Sequence, residues 1–177
     1  MTGPDSELSR LIRLDAIGVE HAEHPICATA DECAALAVRF SLEAVESLGA
    51  DVKLSRTHRG YCARGTLHAQ VTQTCVATGE SLPATIRTPL DILFVAVDAP
   101  TNDAEIILST DDSDIMEHDG QQIDLGEAVA QTLLLALEPF PRRPDAGARL
   151  KAAGVVSDVD IRPFSALQTL KERLAKP

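Results

Sequence analysis

The sequence predicts an α+β fold: an antiparallel, hairpin-rich sheet packed by two main helices, with a short helix in a C-terminal tail. Three observations carry this. Apolar residues recur at helical spacing near 30–48 and again near 124–138. Between them, around 65–94, the apolar residues alternate with a period of two. A Gly-containing loop, ATGES, splits the alternating region into two strands, as a hairpin requires. The sheet could curl into a partial barrel.

The elements follow in order. RLIRLDAIGV (10–19) reads as a first strand or turn. In the first helix Thr29 is the expected N-cap, and Glu32 can return a bond to the cap's amide. Cys33, Leu36, Ala37, Phe40, Ala44 and Leu48 form its stripe, and Gly49 reads as its stop. Leu67, Ala69, Val71, Gln73 and Cys75 share one face of the first hairpin strand. Leu82, Ala84, Ile86, Leu90, Ile92 and Phe94 share one face of the second. Pro83 and Pro89 cannot donate to a ladder, so that strand must bend or lie at an edge there. AEIILS (104–109) is a further candidate strand, and TDDSDIMEHDG (110–120) reads as a mobile acidic loop.

The second helix runs DLGEAVAQTLLLALE. Asp124 is its expected N-cap, Glu127 its third residue, and Ile123 can staple onto Ala128. Pro139 disfavours helical geometry at Glu138, and Pro141 keeps EPFPRRP extended. Phe140 either plugs the core or is aimed outward with Arg142 and Arg143. Residues 1–141 are read as one α+β domain, and 142–177 as a linker with a short helix at 164–175. There Phe164, Leu167, Leu170 and Leu174 share one side, and so short a helix needs something to dock on.

Of 177 residues, 45% are hydrophobic and only 3% aromatic, so the core must be built from Leu, Val, Ile and Ala. The start has neither a basic nor an apolar leader region, and no apolar run approaches the roughly 20 residues of a membrane span. A cytoplasmic location is therefore expected, with Cys27, Cys33, Cys62 and Cys75 as free thiols. The net charge of −11 is unevenly placed. No Lys or Arg lies between Arg87 and Arg142, while that span holds twelve carboxylates, Asp111, Asp112 and Asp114 among them. Residues 142–177 carry 8 basic and 4 acidic side chains. Clustered carboxylates repel polyanionic RNA and attract basic proteins.

Signals for chemistry are weak. HAEHPIC places His21, His24 and Cys27 at steps of three, but Pro25 opposes a helix, and an extended chain sends such neighbours to opposite faces. No nucleophile elbow, phosphate loop or dinucleotide fingerprint is present. The acidic loop lacks calcium-loop spacing. No cofactor or metal is expected, and no enzymatic activity.

Taken together, VTQTCVATGESLPATI, the acidic stretch, IDLGEAVAQTLLLALEPFPRRP and the tail RPFSALQTLK resemble the YceD family, the large ribosomal RNA accumulation proteins. The resemblance covers roughly residues 30–175. Its motif positions here are Cys75, Thr78, Glu80, Asp124, Leu125, Glu127, Pro139, Phe140, Pro141 and Arg142. Many relatives have a CxxC pair where this chain has Cys75 and Thr78, which places a metal-binding role in doubt. The resemblance implies support of large-subunit rRNA accumulation and a link to a ribosomal protein. With the charge map, it leads to the expectation of a basic ribosomal protein or assembly factor as partner. The surface expected to bind it combines Asp111, Asp112, Asp114, Glu127 and Glu138 with Phe140, Arg142 and Arg143. The alternative is direct rRNA binding through the basic tail.

Overall fold

The structure is a computed structural model describing residues 6–18, 22–97 and 114–155. Seven strands and three helices are described: β1 (Leu11–Arg13), β2 (Ala22–Cys27), α1 (Ala30–Arg39), β3 (Ala44–Thr57), β4 (Gly60–Thr74), β5 (Ser81–Ala96), β6 (Asp114–His118), β7 (Gln122–Asp124), α2 (Leu125–Ala136) and α3 (Ala146–Ala152). A single 3-10 turn, Leu14–Ala16, follows β1. A five-stranded sheet runs β2-β3-β4-β5-β6, and β1 pairs with β7 in a small second sheet. The large sheet is open rather than closed into a barrel.

The long hairpin forms as the alternation predicts. Strands β4 and β5 pair antiparallel from Tyr61↔Phe94 to Thr74↔Ser81, and Gly79 supplies the positive φ of the turn at +71°. Leu67, Ala69, Val71, Gln73 and Cys75 are all buried, as are Leu90, Ile92 and Phe94. The two prolines lie where β5 has only β4 beside it, because pairing with β6 begins at Ile92. That stretch is an edge among the described residues, as Pro83 and Pro89 require.

Five expectations are corrected. The first helix ends at Arg39, not near 48; Ser41 at φ +54° turns the chain and residues from Ala44 become β3. Gly49 is no helix stop but lies mid-strand, where a Cβ would sit 2.6 Å from the His68 ring. The sheet is mixed, since β6 pairs parallel to β5. Residues 114–118 therefore form a strand inside the stretch read as a mobile acidic loop, while 110–113 and the candidate strand 104–109 lie outside the described residues. Where a flexible linker was expected, residues 146–152 form α3. The expected tail helix at 164–175 also lies outside the described residues.

The caps behave as their sequences predict. Thr29 and Glu32 complete a reciprocal capping box on α1. Asp124 caps α2, accepting from the amides of Gly126 and Glu127. Helix α2 lies over β4, β5 and β1, while α1 packs on β3. Leu36, Leu54, Leu67, Phe94, Leu125, Val129 and Leu133 form one continuous core between these layers.

Candidate functional site

Four places in the fold hold the residues singled out above. The first is the β4–β5 turn. Cys75 leaves β4 with only 1% of its surface exposed. Its amide donates to the Glu80 carbonyl and its carbonyl accepts from Gly79, which closes the turn. The sulfur accepts from the Arg143 amide at 3.5 Å and faces the Thr78 hydroxyl, which has no other partner among the described residues. Thr78, then the Arg143 amide, favour the thiolate and bring Cys75 down to about 7. Burial instead pushes the Cys33 and Cys62 thiols up. Glu80 anchors the segment after α2 by pairing with Arg143 at 3.3 Å and with Arg149 of α3. Arg143 and Arg149 also pair with Asp145, each at 3.0 Å. The Val76 amide donates to the Pro141 carbonyl at 2.9 Å. Thus Cys75, Thr78, Glu80, Pro141 and Arg143 meet in one structural knot.

The second place is the exit of α2. Glu138, Pro139, Phe140 and Arg142 are exposed together, whereas Pro141 is buried. Phe140 is 70% exposed, so it faces outward and does not plug the core. Beside it runs an apolar groove of about 340 Å³, lined chiefly by Phe40, Leu42, Val76, Leu134, Leu137 and Pro141. Leu135 and Val38 add exposed apolar surface on the two helices.

The third place is the start of α2, about a helix length from Phe140. Glu127 accepts two bonds from the Arg39 guanidinium, at 2.8 and 2.6 Å, and others from Ser6 and Gln131. The Arg39 bonds hold its carboxyl down at about 2. It is an internal clasp between α1, α2 and the N-terminal segment, not part of an open acidic rim. Asp124 is similarly occupied, capping α2 while accepting from the Arg10 amide and the Ser9 hydroxyl. Leu125 is buried in the core.

The fourth place is the β6 edge. Asp114, Glu117 and Asp119 are exposed, and none is ion-paired among the described residues. Asp119 accepts from the Gln121 and Gln122 amides, which lower its pKa. Asp111 and Asp112 precede this edge in sequence but lie outside the described residues. Eleven residue steps along β5 lead from Ser81, at the turn, to Ile92, where β6 joins. At a strand's rise that is roughly 35 Å. The expected single surface is therefore two: Asp114 stands at one end of the hairpin, and Phe140, Glu138 and Arg142 at the other. Arg143 turns inward to Glu80.

The through-space links of Arg39 to Glu127, and of Arg143 and Arg149 to Glu80, leave no mark in the sequence beyond complementary charge. Strand β2 puts His24 and Cys27 at opposite parity, while His21 lies outside the described residues. Among the described residues no three His, Cys, Asp or Glu side chains converge as metal ligands. No described helix is long and apolar enough to cross a membrane.

Compared with known proteins, the chain matches no curated protein and no solved structure. Residues 63–171 do match the family described as large ribosomal RNA subunit accumulation protein YceD. The match takes in all but the first three residues of the hairpin, the turn with Cys75, Thr78 and Glu80, all of α2 and the segment beyond it. Well over half of the chain is covered, and it belongs to the YceD family, whose name assigns it to the accumulation of large-subunit ribosomal RNA.

Proposed function

We propose that the chain is a non-catalytic ribosome-biogenesis factor that supports large-subunit rRNA accumulation by holding a basic ribosomal protein or assembly factor. The observation that carries this reading is the β6 edge. Asp91 and Glu127 are tied up with Arg64 and Arg39, but Asp114, Glu117 and Asp119 face solvent without a described cation. The chain just before them, residues 98–113, adds five carboxylates and no basic residue. Such an edge speeds encounter with a cationic protein and opposes close approach of a phosphate backbone. The partner surface is placed here rather than across the whole span 87–142, since the carboxylates of α2 serve the fold. Phe140, Leu134 and Leu135 form a separate apolar surface at the far end of the hairpin.

The test is co-purification from cells at low and high salt, with protein and RNA identified together. Basic large-subunit proteins or assembly factors should be enriched at low salt and lost at high salt, and the triple variant D114K/E117K/D119K should fail to retain them. Salt-insensitive capture of naked rRNA with no basic protein enriched overturns the reading. Truncation after Val155 separates it from direct RNA binding by the tail, which predicts loss of RNA with proteins retained.

A further inference from the structure

The groove at the exit of α2 has an apolar floor and a charged rim, where Arg39 stacks over Phe40 at 5.5 Å but is paired with Glu7 and Glu127, and exposed Arg142 follows Pro141. Glu138 lines it, and exposed Glu43 follows Leu42 of its wall. Glu43 accepts from Ser81 and has no ion pair among the described residues. The groove's apolar lining, with Glu43 and Glu138 at the rim, fits an apolar segment that carries basic residues. The chain carries one. In residues 162–176, Phe164, Leu167, Leu170 and Leu174 recur at helical spacing, flanked by Arg162, Lys171, Arg173 and Lys176 with Glu172 as the single acid.

Reach is satisfied. Helix α3 is fastened beside the groove through Arg149 and Arg143 on Glu80, and Val76 and Pro141 of the groove wall are bonded to each other. Seven helical residues extend about 10 Å. The nine residues from Val155 to Phe164 can span up to roughly 30 Å. The family match, 63–171, takes in Val76, Leu134 and Leu137 of the groove and residues 162–171 of this segment, while Phe40 and Leu42 precede it.

We infer that the groove formed by Phe40, Leu42, Val76, Leu134 and Leu137 is the docking seat of the chain's own segment 162–176, bound within the same molecule. Apolar anchors supply most of the affinity, with Glu43 and Glu138 as counter-charges for the segment's Lys171 and Arg173. Joining seat and segment through α3 raises their effective concentration, so a weak contact suffices. The inference is independent of the β6 edge and survives or fails without it.

Hydrogen exchange on the full chain tests it reciprocally. L167D/L170D should speed amide exchange about tenfold in 40–42, 74–76 and 137–140, leaving the β3–β4 ladder unchanged. Leu134→Asp should do the same to amides of 164–174. Both effects should be identical at low and high protein concentration. Protection that grows with concentration overturns the intramolecular assignment in favour of a second copy. Groove exchange indifferent to both tail substitutions overturns it in favour of an external partner. If Leu134→Asp fails to fold, K171E/R173E provides the second arm and should raise groove exchange in the same segments.

Discussion

Glu127, expected at the partner surface, is engaged within the fold. Its carboxyl joins Arg39, Ser6 and Gln131, and its pKa falls from 4.5 to about 2 in the folded chain. A lowered folded-state pKa stabilises the fold above the unfolded value, and that stability disappears as pH falls from about 4.5 towards 2. The shift alone corresponds to about 3 kcal/mol, and the part-exposed Arg39 reduces this to about 2. Urea denaturation of Glu127→Gln should therefore show a loss of about 2 kcal/mol at pH 7 and a shallower decline below pH 4.5. The remaining slope in that window belongs partly to Glu32, which Arg10 holds at about 2. Gly126 is constrained by contact. A Cβ there would lie 2.5 Å from the Leu8 carbonyl oxygen, so Gly126→Ala must push the N-terminal segment off α2. A loss on the order of 2 kcal/mol is expected from the same denaturation measurement. Neither the Glu127 clasp nor the Gly126 crossing was legible in the sequence, because each depends on a residue over 80 positions away.

At the scale of elements, legibility followed locality. The β4–β5 hairpin was readable because pleat, turn and alternation all sit in one continuous stretch, and both helix caps were readable for the same reason. Strand β3 was not. Its ladder slips between Val45 and Ser47, so the buried Val45 and Leu48 stand three apart, not two. That break in the period of two lets Ala44 and Leu48, four apart, continue the stripe of the helix before it, and Ser41 ends α1 without the glycine that usually announces a stop. Strand β6 was hidden by its acidic composition and by its parallel pairing, which needs a crossover rather than a turn. Strand β5 also carries a prediction. Pro83 and Pro89 share a parity and oppose Thr72 and Thr66 without donating, so their backbone faces away from β4. They blunt the edge that β6 leaves uncovered. The double variant P83V/P89V should restore two outward amides and raise self-association, read as increased light scattering at constant fold by circular dichroism.

At the scale of the whole molecule, the candidate surfaces separate along the hairpin. The acidic span was legible as a count but not as a place, since pairing of Asp91 and Glu127 depends on Arg64 and Arg39. Among the described residues of that span, Asp114, Glu117 and Asp119 are exposed without an ion pair at the β6 end, and Glu138 at the other. Ionic strength should therefore act on the two ends differently. Raising salt from about 0.05 to 0.5 M shrinks the Debye length severalfold and should slow association of a basic protein with the β6 edge. Stopped-flow association rates for wild type and D114K/E117K/D119K should converge at high salt. Melting temperature should change little over the same range, because an apolar core carries the fold.

The sheet's central meander, β3 to β5, is contiguous in sequence, whereas the helix that covers two of its strands is not. Forty residues separate the end of β5 at Ala96 from the end of α2 at Ala136. At ordinary rates of synthesis this is an interval of roughly 2–8 s. During it a translating ribosome presents a finished hairpin whose lipophilic side has no lid, and chaperone occupancy on the nascent chain should peak there.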